Sequence, residues 1–275
     1  MRRKLTVAAL TIAVAACGSG EGEAQQGAGA RATAVATAPS ASATASAAPA
    51  AATARKVAVE NDLYSFAYAW PAVASAIPQL AAALEADLAR QQGELAAQAA
   101  EDRKAREGED FPYHQHMRTI EWQVVTQIPG WLSLSSHGAG YSGGAHGMTW
   151  FGSLLWDKAA NQEREVTDLF KSAAALSAAI RTPFCAALDR ERARRRGAPV
   201  NRASGDTFDE CIDPVKSTLI LGSSNRRQFD RIGVLVGPYE AGPYAEGEYE
   251  VTLPVTAAVL AGVRPEYRAA FGTGR

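Results

Sequence analysis

Aromatic and small residues alternate through Tyr64, Phe66, Tyr68 and Trp70, a period-two pattern that predicts a half-buried strand ended by Pro71. From about residue 74 to 107 the period lengthens. Ile77, Leu80, Leu84, Leu88 and Leu95 fall at helical spacing and make one narrow apolar stripe, while Glu85, Asp87, Arg90 and Glu94 lie off it. Such a helix is expected to lie across a sheet face, with its later turns, rich in Ala, Gln and charge, projecting into water. Alternation returns at 119–128, where Ile120, Trp122 and Val124 interleave with Glu121 and Gln123. Pro129-Gly130 predicts a turn, 131–135 the returning strand, 137–147 a glycine-rich loop and 149–156 an aromatic strand.

After a turn at 157–161, Leu176, Ile180, Phe184 and Leu188 predict a second helix starting near Lys171. Pro183 is expected to kink or restart it, and Gly197 and Pro199 to close it. Residues 198–215 read as loop, strands are expected at 217–221, 229–236 and 248–253, and a short helix at 255–262. The order defines an α+β fold: mainly antiparallel β-sheet packed by one long N-terminal helix and a second central helix.

Ahead of Arg55 the pattern is different in kind. Residues 28–54 hold 15 Ala among 27, with little large apolar surface to offset the entropy of ordering, and are expected to be a disordered tether. At the start, Arg2, Arg3 and Lys4 precede an apolar run from Leu5 to Ala16, shorter than the roughly 20 residues a bilayer requires. This is the form of a signal peptide. It ends Val14-Ala15-Ala16-Cys17, which resembles a bacterial lipobox, with Cys17 as the lipidated residue; the alternative is an ordinary signal peptide with an incidental cysteine. Gly18, rather than Asp, favours the outer over the inner membrane. Removing the leader moves the formal charge from −1 to −4, which speaks against a nucleic-acid partner. In an oxidising compartment Cys185 and Cys211 are expected to form a disulfide, free buried thiols being the alternative. No Cys/His spacing suggests zinc, and no metal or cofactor is expected.

Two motif matches do not survive their context. Gly140-Tyr141-Ser142-Gly143-Gly144 fits G-x-S-x-G, but a nucleophile elbow needs a helix after the serine and a histidine far downstream. The histidines stand at 114, 116, 137 and 146, and a strand-type run follows. Gly138, Gly140 and Gly143 fit a dinucleotide fingerprint without the helix it requires. His114 and His116 read as an exposed pair on one strand face, and the five arginines of 190–196 as a solvated helix end complementing the dipole.

Three segments together resemble the RsiV/PdaC-type extracytoplasmic domain family. They are Tyr141-Ser142-Gly143-Gly144-Ala145-His146, then Val166-Thr167-Asp168-Leu169-Phe170, and the run from Val236 to Gly247 with its Pro238-Tyr239 and Pro243-Tyr244. The resemblance covers roughly residues 56–261. With the leader (1–17) and tether (18–55) read from the residues above, it implies a PdaC-like strand and long helix (56–113), an RsiV-like module (114–265) and a tail (266–275). The separate deacetylase domain of PdaC-like enzymes and the sigma-binding segment of RsiV-like regulators are not expected here.

The reading is therefore a non-catalytic envelope lipoprotein, membrane-anchored and facing the periplasm, that binds a lysozyme-like protein or peptidoglycan. Its ligand-binding candidates are Tyr141, Gly143, Gly144, His146, Tyr239 and Tyr244. The alternatives are a wall-modifying enzyme pairing His146 with Asp157 or Asp168, and an envelope assembly scaffold. The oligomeric state is not set by the sequence.

Overall fold

The computed structural model describes residues 52–274; Cys17, the leader and nearly all of the tether lie outside the described residues. Two sheets carry the fold. The first has six strands in chain order: β1 (Arg55–Glu60), β2 (Tyr64–Trp70), β3 (His116–Ile128), β4 (Trp131–Tyr141), β5 (Met148–Asp157) and β6 (Gln162–Arg164). The second is an antiparallel meander of β7 (Thr218–Gly222), β8 (Arg231–Val236) and β9 (Tyr249–Pro254). Of the strand pairings within these two sheets, only β2–β3 is parallel, and it needs a crossover. That crossover contains α1 (Ala72–Ser75) and the 28-residue α2 (Pro78–Ala105). With α3 (Ala173–Arg196) and α4 (Ala257–Gly262), the expected α+β architecture is present.

Helix α2 begins with Pro78, whose missing N–H costs nothing in the first turn. Its stripe, Leu80, Leu84, Leu88 and Leu95, is buried against Tyr64, Phe66, Tyr68 and Trp70 of β2 and Leu132 and Leu134 of β4. The later turns do not leave the sheet as expected. Ala99 is fully buried, and Asp102 still reaches His116 Nε2 at 3.1 Å, because β3 begins beneath that turn. His116 is accordingly a buried residue stacked on Tyr113, not half of an exposed pair, and His114 lies outside the strand.

The other face of the same sheet enters a second core. A β-bulge between Val124 and Thr126 adds a residue to β3, so side chains beyond it change sides. Ile120 packs under α2, whereas Ile128 joins Trp131, Leu155, α3 and the second sheet.

Helix α3 starts at Ser172, which accepts a hydrogen bond from the Ala175 amide, and ends at Gly197 with φ of 70°. It runs unbroken through Pro183, contrary to the expected restart. An interior proline costs about 3 kcal/mol. Burying Leu176, Ile180, Phe184 and Leu188 on both sides of it contributes about 1.5–3 kcal/mol each, which outweighs that cost. The Cys185–Cys211 disulfide ties this helix to the loop before β7, with Cα atoms 5.5 Å apart.

Candidate functional site

The glycine-rich segment is shorter as a loop than its composition suggests: residues 137–141 belong to β4, and 142–147 join it to β5. Gly143 and Gly144 take φ of 91° and 100°, which L side chains rarely adopt. The second tyrosine-bearing segment joins β8 to β9. Here Tyr239 holds φ of 67°, a strained value for an aromatic residue. Glu240 braces the turn, accepting from the Gly237 amide at 3.0 Å and from the Ser217 hydroxyl at 2.6 Å.

These two loops meet. The His146 ring stacks on Tyr244 with centroids 3.8 Å apart, and Tyr239 closes the triangle at 6.3 Å from His146 and 5.7 Å from Tyr244. Tyr244 donates its hydroxyl to the Gly147 carbonyl at 2.9 Å, and Tyr141 donates to the Gly144 carbonyl at 3.1 Å. His146 Nδ1 lies 2.9 Å from the same Gly147 carbonyl, which can only accept. A neutral imidazole therefore carries its proton on Nδ1 and accepts the Tyr239 hydroxyl at Nε2, 3.3 Å away. The candidates Tyr141, Gly143, Gly144, His146, Tyr239 and Tyr244 thus form one cluster. Its rings are not sunk in the core, Tyr239 being 49% and Tyr244 36% exposed. Beside them a cleft of about 190 Å³ is lined by Gln98, Arg118, Tyr141, His146, Met148 and Trp150.

The arginine run at the end of α3 holds the second loop in place. Arg192 is fully buried and donates from Nε to the Ala241 carbonyl at 2.8 Å and from Nη1 to the Glu210 carbonyl at 2.9 Å. Burial pushes its guanidinium below the ordinary value, and the nearby Arg196 charge adds to this. Arg195 lies over the Tyr249 ring at 3.9 Å, and Arg196 grips Glu246 and Asp209. Burial and the Glu246 carboxylate push the Tyr249 phenol up to about 12. For Glu246 itself burial acts upward, but hydrogen bonds from Arg196 and Tyr249 bring the carboxyl below its ordinary range. The solvated reading holds for the exposed Arg190 and Arg194 and fails for Arg192 and Arg196. A signal was present: these two continue the four-residue spacing of Leu176, Ile180, Phe184 and Leu188.

Neither carboxylate proposed as an acid–base partner is among the hydrogen-bond partners of His146. Asp157 accepts from the Ala159 and Ala160 amides, and Asp168 accepts from the Glu165 amide, each closing a local turn. Among the described residues no group of three or more His, Cys, Asp or Glu is placed to hold a metal, and no helix is long and apolar enough to cross a membrane.

An α+β domain with paired tyrosine-bearing loops is the class that this geometry defines. Residues 57–149, from β1 into the start of β5, match the family model described as Deacetylase PdaC. Among solved structures, the chain is similar to a DUF3298 family member from Bacteroides fragilis at 17% identity and a TM-score of 0.45, covering 74% of this chain and 91% of that one. It is also similar to a DUF3298 family protein from Pseudomonas aeruginosa at 15% identity and a TM-score of 0.45, covering 82% and 98% respectively. No curated protein matches the chain.

Proposed function

We propose that this chain is an envelope lipoprotein, anchored through Cys17, that binds cell-wall peptidoglycan on the surface formed by His146, Tyr239 and Tyr244 without transforming it. The observation that carries the reading is the stack of His146 on Tyr244 with Tyr239 alongside: exposed rings whose hydroxyl and imidazole atoms are fixed by hydrogen bonds to neighbouring groups. Ring faces pack against the C–H faces of sugars, and a rigid aromatic pays little entropy on binding. The adjoining cleft of about 190 Å³ suits a sugar or short peptide stem. A lysozyme-sized protein would need about 800 Å² on its side of the interface, far more than three rings supply.

Co-sedimentation of the full-length chain with insoluble peptidoglycan tests the reading. The protein is expected in the pellet, and a Tyr239→Ala/Tyr244→Ala double variant is expected to bind roughly tenfold more weakly. Retention by immobilised lysozyme, with none by peptidoglycan, would replace the proposed ligand with a protein.

A further inference from the structure

A second cleft lies on the far side of Trp150, between α2 and the sheet face of β3, β4 and β5. It encloses about 300 Å³, within the range of small-ligand sites. Asp87, Gln91, Trp122, Ser136, Trp150 and Glu163 supply its polar and aromatic lining, over an apolar base of Leu84 and Leu154.

The lining is held in place by its own contacts. Tyr68 donates its hydroxyl to Asp87 Oδ2 at 2.7 Å and accepts from Trp122 Nε1 at 2.8 Å, so one carboxylate, one phenol and one indole form a fixed chain. Burial and the Asp87 contact push the Tyr68 phenol well above its ordinary value, which keeps it a neutral donor. Glycines in the strands leave room for the indoles. A β-carbon at Gly138 would overlap the Trp150 ring, and one at Gly152 would overlap the Ser136 hydroxyl and come 3.5 Å from Trp122.

The charge in this cleft is uneven. Asp87 already engages Tyr68 and Arg90. Glu163, on the edge strand β6 at the rim, has no side-chain hydrogen bond or ion pair among the described residues. Burial, followed by the charges of Glu165 and Asp87, raises its carboxyl above the ordinary value. A positive group arriving there would relieve that repulsion.

We propose that this cleft is a binding site for an amino sugar with a free amine, its ring on the indoles of Trp122 and Trp150 and its ammonium at Glu163 and Asp87. An ammonium is attracted to an indole face as well as to a carboxylate, so both parts of the lining act on the same ligand. The Gln91 amide and Ser136 hydroxyl suit sugar hydroxyls and would go unused by a plain alkylamine. The assignment stands whether or not the Tyr239–Tyr244 surface binds peptidoglycan.

Calorimetric titration of the full-length chain with a β-1,4-linked glucosamine trisaccharide tests it, beside the fully N-acetylated trisaccharide and lysine amide. Saturable heat is expected with the glucosamine oligomer, about tenfold weaker binding for the acetylated form, and none for lysine amide. Glu163→Gln, at the cleft rim and without a side-chain partner among the described residues, should keep the fold and lose about tenfold in affinity, while Tyr239→Ala/Tyr244→Ala should keep most of the binding. No heat with glucosamine, equal affinity for the acetylated oligomer, tight binding of lysine amide or an unaffected Glu163→Gln variant would each overturn the proposal. Loss of glucosamine binding in the tyrosine variant alone would move that ligand to the His146 surface, and would leave the peptidoglycan reading standing.

Discussion

Arg196 and Glu246 form a two-pronged ion pair, Nε to Oε1 at 2.7 Å and Nη2 to Oε2 at 3.1 Å, that fastens the end of α3 to the turn carrying Tyr244. Both side chains are largely covered, at 21% and 14% exposure, so solvent screens the pair less than it would a surface bridge. Arg196→Ala leaves Glu246 half-buried without its cation and is expected to lower unfolding free energy by about 2–3 kcal/mol in urea titrations. The pH dependence follows from the lowered Glu246 carboxyl. A depressed folded-state value gives a contribution that is complete above the ordinary value of 4.5 and lost as pH falls through the folded value. Urea titrations in that acid range should show a drop that the Glu246→Gln variant lacks.

Removing the Cys185–Cys211 bridge releases a loop closure of 26 residues in the unfolded chain. A Cys185→Ala/Cys211→Ala variant should lose about 3 kcal/mol of stability, measured by denaturant unfolding against the oxidised parent. The loss should appear in the midpoint before any change in the tyrosine loops at neutral pH, because Arg192 still ties α3 to Glu210 and Ala241.

Trp150 occupies the space that a side chain at position 138 would need. Gly138→Ala is therefore an overpacking substitution, expected to cost about 1–3 kcal/mol and to displace the indole. Near-ultraviolet circular dichroism, together with thermal melting, reads both effects. Gly93→Ala is the control: nothing lies within 4 Å of its β-carbon, and in the interior of α2 it should be neutral or stabilising.

Much of this fold is legible in periodicity because each element buries one face. Tyr64–Trp70, the α2 stripe and the four apolar residues of α3 all report a local period that the cores later use. What stays hidden depends on partners distant in sequence. Strand β1 has only Val57 and Val59 as its apolar alternation, against the edge of an alanine-rich run, and acquires its order from pairing with β2. Gly138 and Gly140 read as loop by composition, yet serve in a strand because an indole ten or more positions later lies on them. The meeting of His146 with Tyr239 and Tyr244 joins two loops more than ninety positions apart, and no spacing rule gives their contact. The Asp102–His116 pair and the Arg196–Glu246 clamp are hidden for the same reason. The cleft between α2 and the sheet has no signature in local spacing because its lining comes from five different elements.

The central claim is that the clustered rings of His146, Tyr239 and Tyr244 hold wall material. Calorimetric titration of the full-length chain with soluble disaccharide-peptide fragments of peptidoglycan, run in parallel on Tyr244→Ala, tests it most directly. Saturable heat in the parent and roughly tenfold weaker binding in a variant that melts at nearly the same temperature is the predicted result. No heat in the parent at millimolar fragment, or equal affinity in the two proteins, would contradict the account.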